Sequence, residues 1–138
     1  MVVGVGTIGL FAVQILKSLG VSKVIAVDIS DRRLDMARKN GADAGIDSRD
    51  PQAEAQILAL TDGKGVDAAY DATGIESTFL LCLRTTRLNG SVVLIGNIAR
   101  NMSFPLQHVV THQLSLFGSC ASAGEYDRRL ELSSFAPD

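Results

Sequence analysis

Three glycines at fixed spacing, Gly4-Val5-Gly6-Thr7-Ile8-Gly9, stand between a short apolar start, Met1-Val2-Val3, and an amphipathic run; an acid, Asp28, then ends the next apolar segment, Val24-Ile25-Ala26-Val27. Strand, glycine turn, helix, strand and acid in that register specify a β-α-β unit whose first turn cradles a pyrophosphate. Gly4 turns the chain off the strand, Gly6 removes the Cβ that would hold a phosphate away from backbone N–H groups, and Gly9 lets the helix lie close on the sheet. The helix begins near Thr7, so its unpaired N–H groups and the positive end of its dipole face the phosphates. Asp28 follows Gly9 at about the 20-residue spacing usual for a carboxylate that accepts from an adenosine ribose. Its charge opposes a 2′-phosphate and favours NAD over NADP. Arg32 and Arg33 offer a phosphate clamp instead, but beside an ionised Asp28 the ribose reading is preferred. The plainer alternative, a glycine turn that binds nothing, leaves the register of the acid unexplained.

The rest of the chain repeats the alternation. A helix over residues 7–19 puts Ile8, Phe11, Ala12, Ile15, Leu16 and Leu19 on one face, with Gly20 as its stop. Ser30 or Asp31 caps a second helix to about Asn40, with Leu34, Met36 and Ala37 inward. A short strand at 44–46 and a helix from Pro51 lead to the turn Asp62-Gly63-Lys64-Gly65. A fourth strand over 66–70 ends at Asp71-Ala72-Thr73-Gly74. A helix over 76–88, an Asn89-Gly90 turn and a fifth strand over 91–95 follow. A short helix from Pro105 to His112, a strand at 114–117 and a helix over 125–132 complete the pattern. Such alternation predicts an α/β fold, a single doubly wound parallel sheet with helices on both faces and the ligand crevice at the carboxyl ends of the strands.

Composition excludes several classes of function. The net charge of −2, without a basic block, argues against nucleic acid and anionic membrane surfaces as partners. No apolar run approaches the ~20 residues that span a bilayer. Cys82 and Cys120 lie in apolar segments of a chain without a signal peptide, which reads as two buried, reduced thiols in a cytoplasmic protein. Only three residues precede Gly4, where a central strand usually has ~5–6, so the chain is expected to be a fragment of a longer one.

Gly4-Val5-Gly6-Thr7-Ile8-Gly9-Leu10, Val27-Asp28-Ile29-Ser30, Asn40-Gly41-Ala42-Asp43, Asp71-Ala72-Thr73-Gly74 and Leu116-Phe117-Gly118-Ser119 together resemble the Rossmann-type cofactor domain of zinc-dependent medium-chain dehydrogenases, closest to the sorbitol or L-iditol 2-dehydrogenase branch. The resemblance implies that residues 1–138 form one NAD-binding domain of an alcohol or polyol dehydrogenase that passes hydride between an alcohol carbon and nicotinamide. It implies that Thr7 touches the pyrophosphate and Ile8 packs under the nicotinamide. Asp28 takes the ribose, Ile29 lies beside the adenine, and Arg33 approaches the adenosine ribose and phosphate. Thr73 and Gly74 form the adenosine-side wall. Ile95, Gly96 and Asn97 reach the nicotinamide end, with further backbone contacts at Ser119 and Ala121. The family's catalytic zinc belongs to a separate domain, so neither catalytic nor metal-binding residues are expected here, and zinc would enter only through ligands outside this chain. The partners implied are a small alcohol or polyol and a second copy of the chain, paired through the edge segment Asn101-Met102-Ser103-Phe104, which from its residues alone reads as an ordinary loop.

Other candidates weigh less. His108 and His112 share a helical face, but no zincin Glu follows His108 and no third ligand is evident, so polar or capping roles are preferred. Asp67 and Asp71 are an even number of residues apart on one strand and could share a face, yet a turn or cap role suits Asp71 better. Two rival functions stand beside the dehydrogenase: a stand-alone, non-enzymatic NAD(H)-binding module, and a methyltransferase that uses S-adenosylmethionine. The third glycine, and Asp71-Ala72-Thr73-Gly74 in place of an Asp-x-x-Pro motif, argue against the methyltransferase.

Overall fold

In the computed structural model, which describes residues 1–120, six parallel strands form one sheet in the order β3-β2-β1-β4-β5-β6. The strands are β1 (Val2–Val3), β2 (Ile25–Asp28), β3 (Ala44–Asp47), β4 (Val66–Asp71), β5 (Thr86–Leu94) and β6 (Ser115–Gly118). The helices between them are α1 (Thr7–Ser18), α2 (Asp31–Lys39), α3 (Ala53–Ala59), α4 (Glu76–Thr85) and α5 (Leu106–Thr111). The expected helix over 125–132 lies outside the described residues.

Alternation along the central strands builds a core on each face of the sheet, as expected of strands covered on both sides. Val2, Val24 and Ala26 pack with Val13 of α1 and with Leu34 and Ala37 of α2. Val3, Ile25, Val27 and Val92 pack with Ile57 of α3 and with Phe79 and Leu83 of α4. Ile57 is fully buried. Ile57→Ala is therefore expected to cost about 2–4 kcal/mol through lost transfer energy and an unfilled cavity, to be read from a denaturant midpoint at unchanged slope.

Four local expectations need correction. Along α1 the buried residues are Gly9 and Val13, while Ile8, Phe11, Ile15 and Leu19 are exposed. The cause is Gly9: a Cβ there would run into the Gly4 carbonyl oxygen, so the helix seats on its glycine and turns the large apolar stripe outward. On α2, Leu34 and Ala37 are buried and Met36 is exposed, since a residue two positions from Leu34 points to the opposite side of a helix. Helix α4 ends at Thr85 rather than near residue 88, because the Thr85 and Thr86 hydroxyls donate back to the Leu81 and Cys82 carbonyls and Thr86 is already extended, at ψ 134°. Asn89-Gly90 then sits inside β5 as a bulge: Thr86 pairs with Val66 and Ser91 with Ala68, so the residues between are looped out around Asn89 at φ 60°.

Candidate functional site

The carboxyl ends of β1, β2 and β4 meet where the strand order reverses, and the loops leaving them enclose a cleft of about 380 Å³. In an open α/β sheet this is where ligands bind. The chain leaves β1 through Gly4, whose N–H donates to the Val27 carbonyl at 2.8 Å, and enters α1 at Gly6 with no side chain capping the first turn. The first-turn N–H groups are thus left for whatever enters the cleft.

The glycines of this loop have different causes. Gly9 is required by the protein, as described above. At Gly6 a Cβ would meet nothing within 4 Å among the described residues, and its φ of −69° suits any L-residue. Nothing among the described residues explains a glycine at Gly6, whereas a phosphate resting on the loop does.

Asp28 ties the cleft together. One carboxylate oxygen accepts from the Val5 N–H at 2.9 Å, the other from the Ser30 N–H at 3.0 Å, and the Arg33 guanidinium lies 3.8 Å away. A carboxylate has about four lone-pair positions, so two remain for a hydroxyl-bearing ligand after these two backbone bonds. The side chain is 3% exposed and lines the cleft. Ser30 caps α2 by accepting from the Arg33 N–H at 3.4 Å, which sets Arg33 at the rim.

Of the residues expected to touch the cofactor, Gly4, Gly6, Thr7, Ile8, Gly9, Asp28, Ile29, Arg33 and Thr73 all line the cleft. Gly74, Ile95, Gly96, Asn97 and Ser119 do not line it; they belong to the adjoining loops after β4, β5 and β6. The Ile95 and Gly96 N–H groups donate to the Asp71 carbonyl, Ser119 N–H donates to the Leu94 carbonyl, and Gly74 lies so close to Gly96 that neither has room for a Cβ. Ala121 lies outside the described residues. Sequence reading missed Ser48, Ile75, Ser77, Thr78 and Ile98, which also line the cleft. Ser48 follows from a register that the fold supplies: β3 pairs with β2, Asp47 beside Asp28, so the next residue reaches the same crest.

Asp71 and Asp67 do not act as a pair. Asp71 is fully buried, with its carboxylate taking the Thr73 and Gly74 N–H groups at 3.0 Å, whereas Asp67 is exposed and bound to Arg87 at 2.6 Å. Cys82 is buried, and that burial, with the charge of Asp71 nearby, pushes its thiol well above the ordinary range. Cys120, expected to be buried, is exposed among the described residues. His108 and His112 stack at 4.0 Å with a ring nitrogen of each spent on a backbone carbonyl, Leu83 and His108 respectively. Among the described residues no three His, Cys, Asp or Glu side chains come together as a metal would need, so they do not fit a zinc site. A larger cavity, about 480 Å³, lies at the opposite end of the sheet around Lys23, Asp62 and Arg87, away from the glycine loop. No helix among the described residues is long and apolar enough to cross a membrane.

The pattern of the family described as zinc-binding dehydrogenase matches residues 7–134. An alcohol dehydrogenase of Cupriavidus necator is 36% identical over 101 residues, covering 73% of this chain and 28% of that protein. A probable D-xylulose reductase A of Emericella nidulans is 34% identical over 137 residues, covering 96% of this chain and 38% of its own. Among solved structures, the zinc dependent alcohol dehydrogenase 2 from Streptococcus pneumonia superposes with a TM-score of 0.89 at 32% identity, over 97% of this chain and 39% of that one. The chain thus spans well under half the length of each of these relatives.

Proposed function

The chain belongs to the zinc-binding dehydrogenase family, and on that premise we propose that it is the NAD(H)-binding domain of an alcohol or polyol dehydrogenase. The observation that carries the reading is Gly6, a glycine that no contact among the described residues requires, at the mouth of the cleft beside an uncapped helix N-terminus. When bound, the nicotinamide supplies the hydride acceptor or donor. The chain's own residues bind and orient. The α1 N–H groups and Thr7 hold the pyrophosphate, Asp28 accepts from the adenosine ribose, Ile29 and Thr73 flank the adenine, and Arg33 faces the phosphate side. Ile8, with Ile95 to Asn97 and Ser119, sets the height and tilt of the nicotinamide, which matters because reacting atoms must meet at about 3–3.5 Å. Ala121 belongs to the same proposed set.

Zinc, in this reading, comes through ligands outside this chain, and the substrate is the small alcohol or polyol that the relatives' names suggest. Cytoplasmic residence and pairing of two copies through Asn101-Met102-Ser103-Phe104 belong to the same proposal. β6 is an edge of the sheet and carries an exposed Phe117, an apolar edge of the kind proteins usually cover.

Fluorescence titration of the purified chain with NADH, beside S-adenosylmethionine, tests the reading: saturable NADH binding is expected, and binding of only S-adenosylmethionine would overturn it. The same preparation, given NAD, zinc and sorbitol, xylitol, threonine or a simple alcohol, is expected to form no NADH. Zinc-dependent turnover would show that the metal ligands are within this chain after all.

A further inference from the structure

Asp71 is a carboxylate with no exposed surface and, among the described residues, no cationic partner. Burying such a group is costly unless it is fully hydrogen-bonded, so what it holds is informative. One oxygen accepts from the Thr73 N–H, the Gly74 N–H and the Thr78 hydroxyl at 3.0, 3.0 and 3.1 Å; the other has only the Thr78 hydroxyl, at 3.3 Å. Thr78 is in the first turn of α4, whose N-terminus has no side-chain cap of its own. Its backbone works in the opposite direction: the Asp71 carbonyl accepts from both Ile95 and Gly96 N–H at 2.9 Å. A single residue thus fixes the loop after β4 with its side chain and the loop after β5 with its main chain. Gly74 and Gly96 transmit the register between them, packed backbone to backbone, and the Gly74 carbonyl accepts from Ala99 N–H at 2.8 Å.

We propose that Asp71 is the positioning residue that holds Thr73-Gly74, on the adenosine side, in fixed offset against the adjoining Ile95-Gly96-Asn97, the offset a dinucleotide needs to meet both loops at once. This rests on the dinucleotide reading above. Asp71 does not line the cleft, so it acts through the loops it holds. A ligand that reaches both loops feels an error in their offset, while AMP, which would meet Asp28, Ile29 and Thr73 but not Ile95-Gly96-Asn97, feels only the loosening of Thr73. The role requires an acceptor and not a charge. In Asp71→Asn the amide oxygen takes the two N–H groups, the amide nitrogen donates to the Thr78 oxygen, and Thr78 passes its own hydrogen to the Ile75 carbonyl, 3.0 Å away.

The test is a paired titration of the full chain with NADH and with AMP. In Asp71→Ala, NADH is expected to bind about tenfold more weakly or worse, the effect of losing well-placed hydrogen bonds, while AMP stays within about threefold. Asp71→Asn is expected to restore both. A variant that is only less folded loses the same factor for both ligands, since apparent affinity scales with the competent fraction. An unchanged ratio of NADH to AMP affinity in Asp71→Ala therefore overturns the assignment, as does an Asp71→Asn variant that fails to restore it. Should Asp71→Ala not fold, Thr78→Val removes the side-chain donor at nearly constant volume and must lower the same ratio, or the assignment falls. If the parent chain binds neither ligand, the dinucleotide reading itself is overturned, and this inference with it.

Discussion

Replacing Gly9 by alanine is expected to cost the chain about 3–4 kcal/mol, above the usual range for overpacking because the obstruction is backbone, whereas the same change at Gly6 is expected to leave stability within about 0.5 kcal/mol. A Cβ on Gly9 would coincide with the Gly4 carbonyl oxygen and approach the Gly4 carbonyl carbon at 2.9 Å. Relief would require α1 to lift off β1 and drag Val13 out of the core. A domain of this size has about 5–15 kcal/mol to lose, so Gly9→Ala should show an early, broadened melt and poor recovery after expression. Gly6→Ala should melt like the parent and bind NADH about 10- to 150-fold less well, the range for one or more hydrogen bonds to a charged group at 1.5–3 kcal/mol. Differential scanning fluorimetry and an NADH titration on both variants separate the two roles. A Gly6→Ala chain that binds NADH normally would remove the main support for a phosphate on this loop.

Asp28→Ser is expected to weaken NADH by about 10- to 150-fold and to leave NADPH unchanged or improved, because the loss of the carboxylate frees Arg33 and removes the repulsion on a 2′-phosphate. The structure adds a complication that can be controlled. Asp28 also holds the Val5 and Ser30 N–H groups, so part of any loss comes from a loosened glycine loop. That part weakens NADH and NADPH alike; only the charge effect changes their ratio. Titrating both cofactors against parent and variant therefore isolates it. A parent that prefers NADPH, or a ratio that does not move, leaves Asp28 as a fastener of the loop and nothing more.

The fold was legible because glycine spacing and hydrophobic alternation act locally: Gly4 to Gly9, the acid at Asp28 and the repeated strand-helix pattern already require a parallel sheet. Helix orientation was not legible. For α1 the count of large apolar residues favoured the Ile8-Phe11-Ile15-Leu19 face, and close packing at a single missing Cβ overruled it. The β5 bulge was half legible. Asn89-Gly90 does break the regular backbone, but β4 supplies pairing partners on both sides of it, a long-range fact no local pattern contains. In the site, residues on the glycine loop and β2 came from spacing and resemblance. Ser48, Ser77 and Thr78 needed the register of β3 and the placement of α4, and short hydroxyl side chains carry no periodic signal of their own.

The sheet also works as a partition. Val2 and Val3 are adjacent in sequence yet belong to clusters on opposite faces, which among the described residues share no side chain. Energetic damage on one side should then add to damage on the other with little coupling, as expected for sites without common partners. The half that carries the glycine helix and α2 can accumulate substitutions on a ledger separate from the half that carries α3 and α4. Only the crest of loops where the faces meet, around Asp28 and Asp71, obliges the two histories to agree.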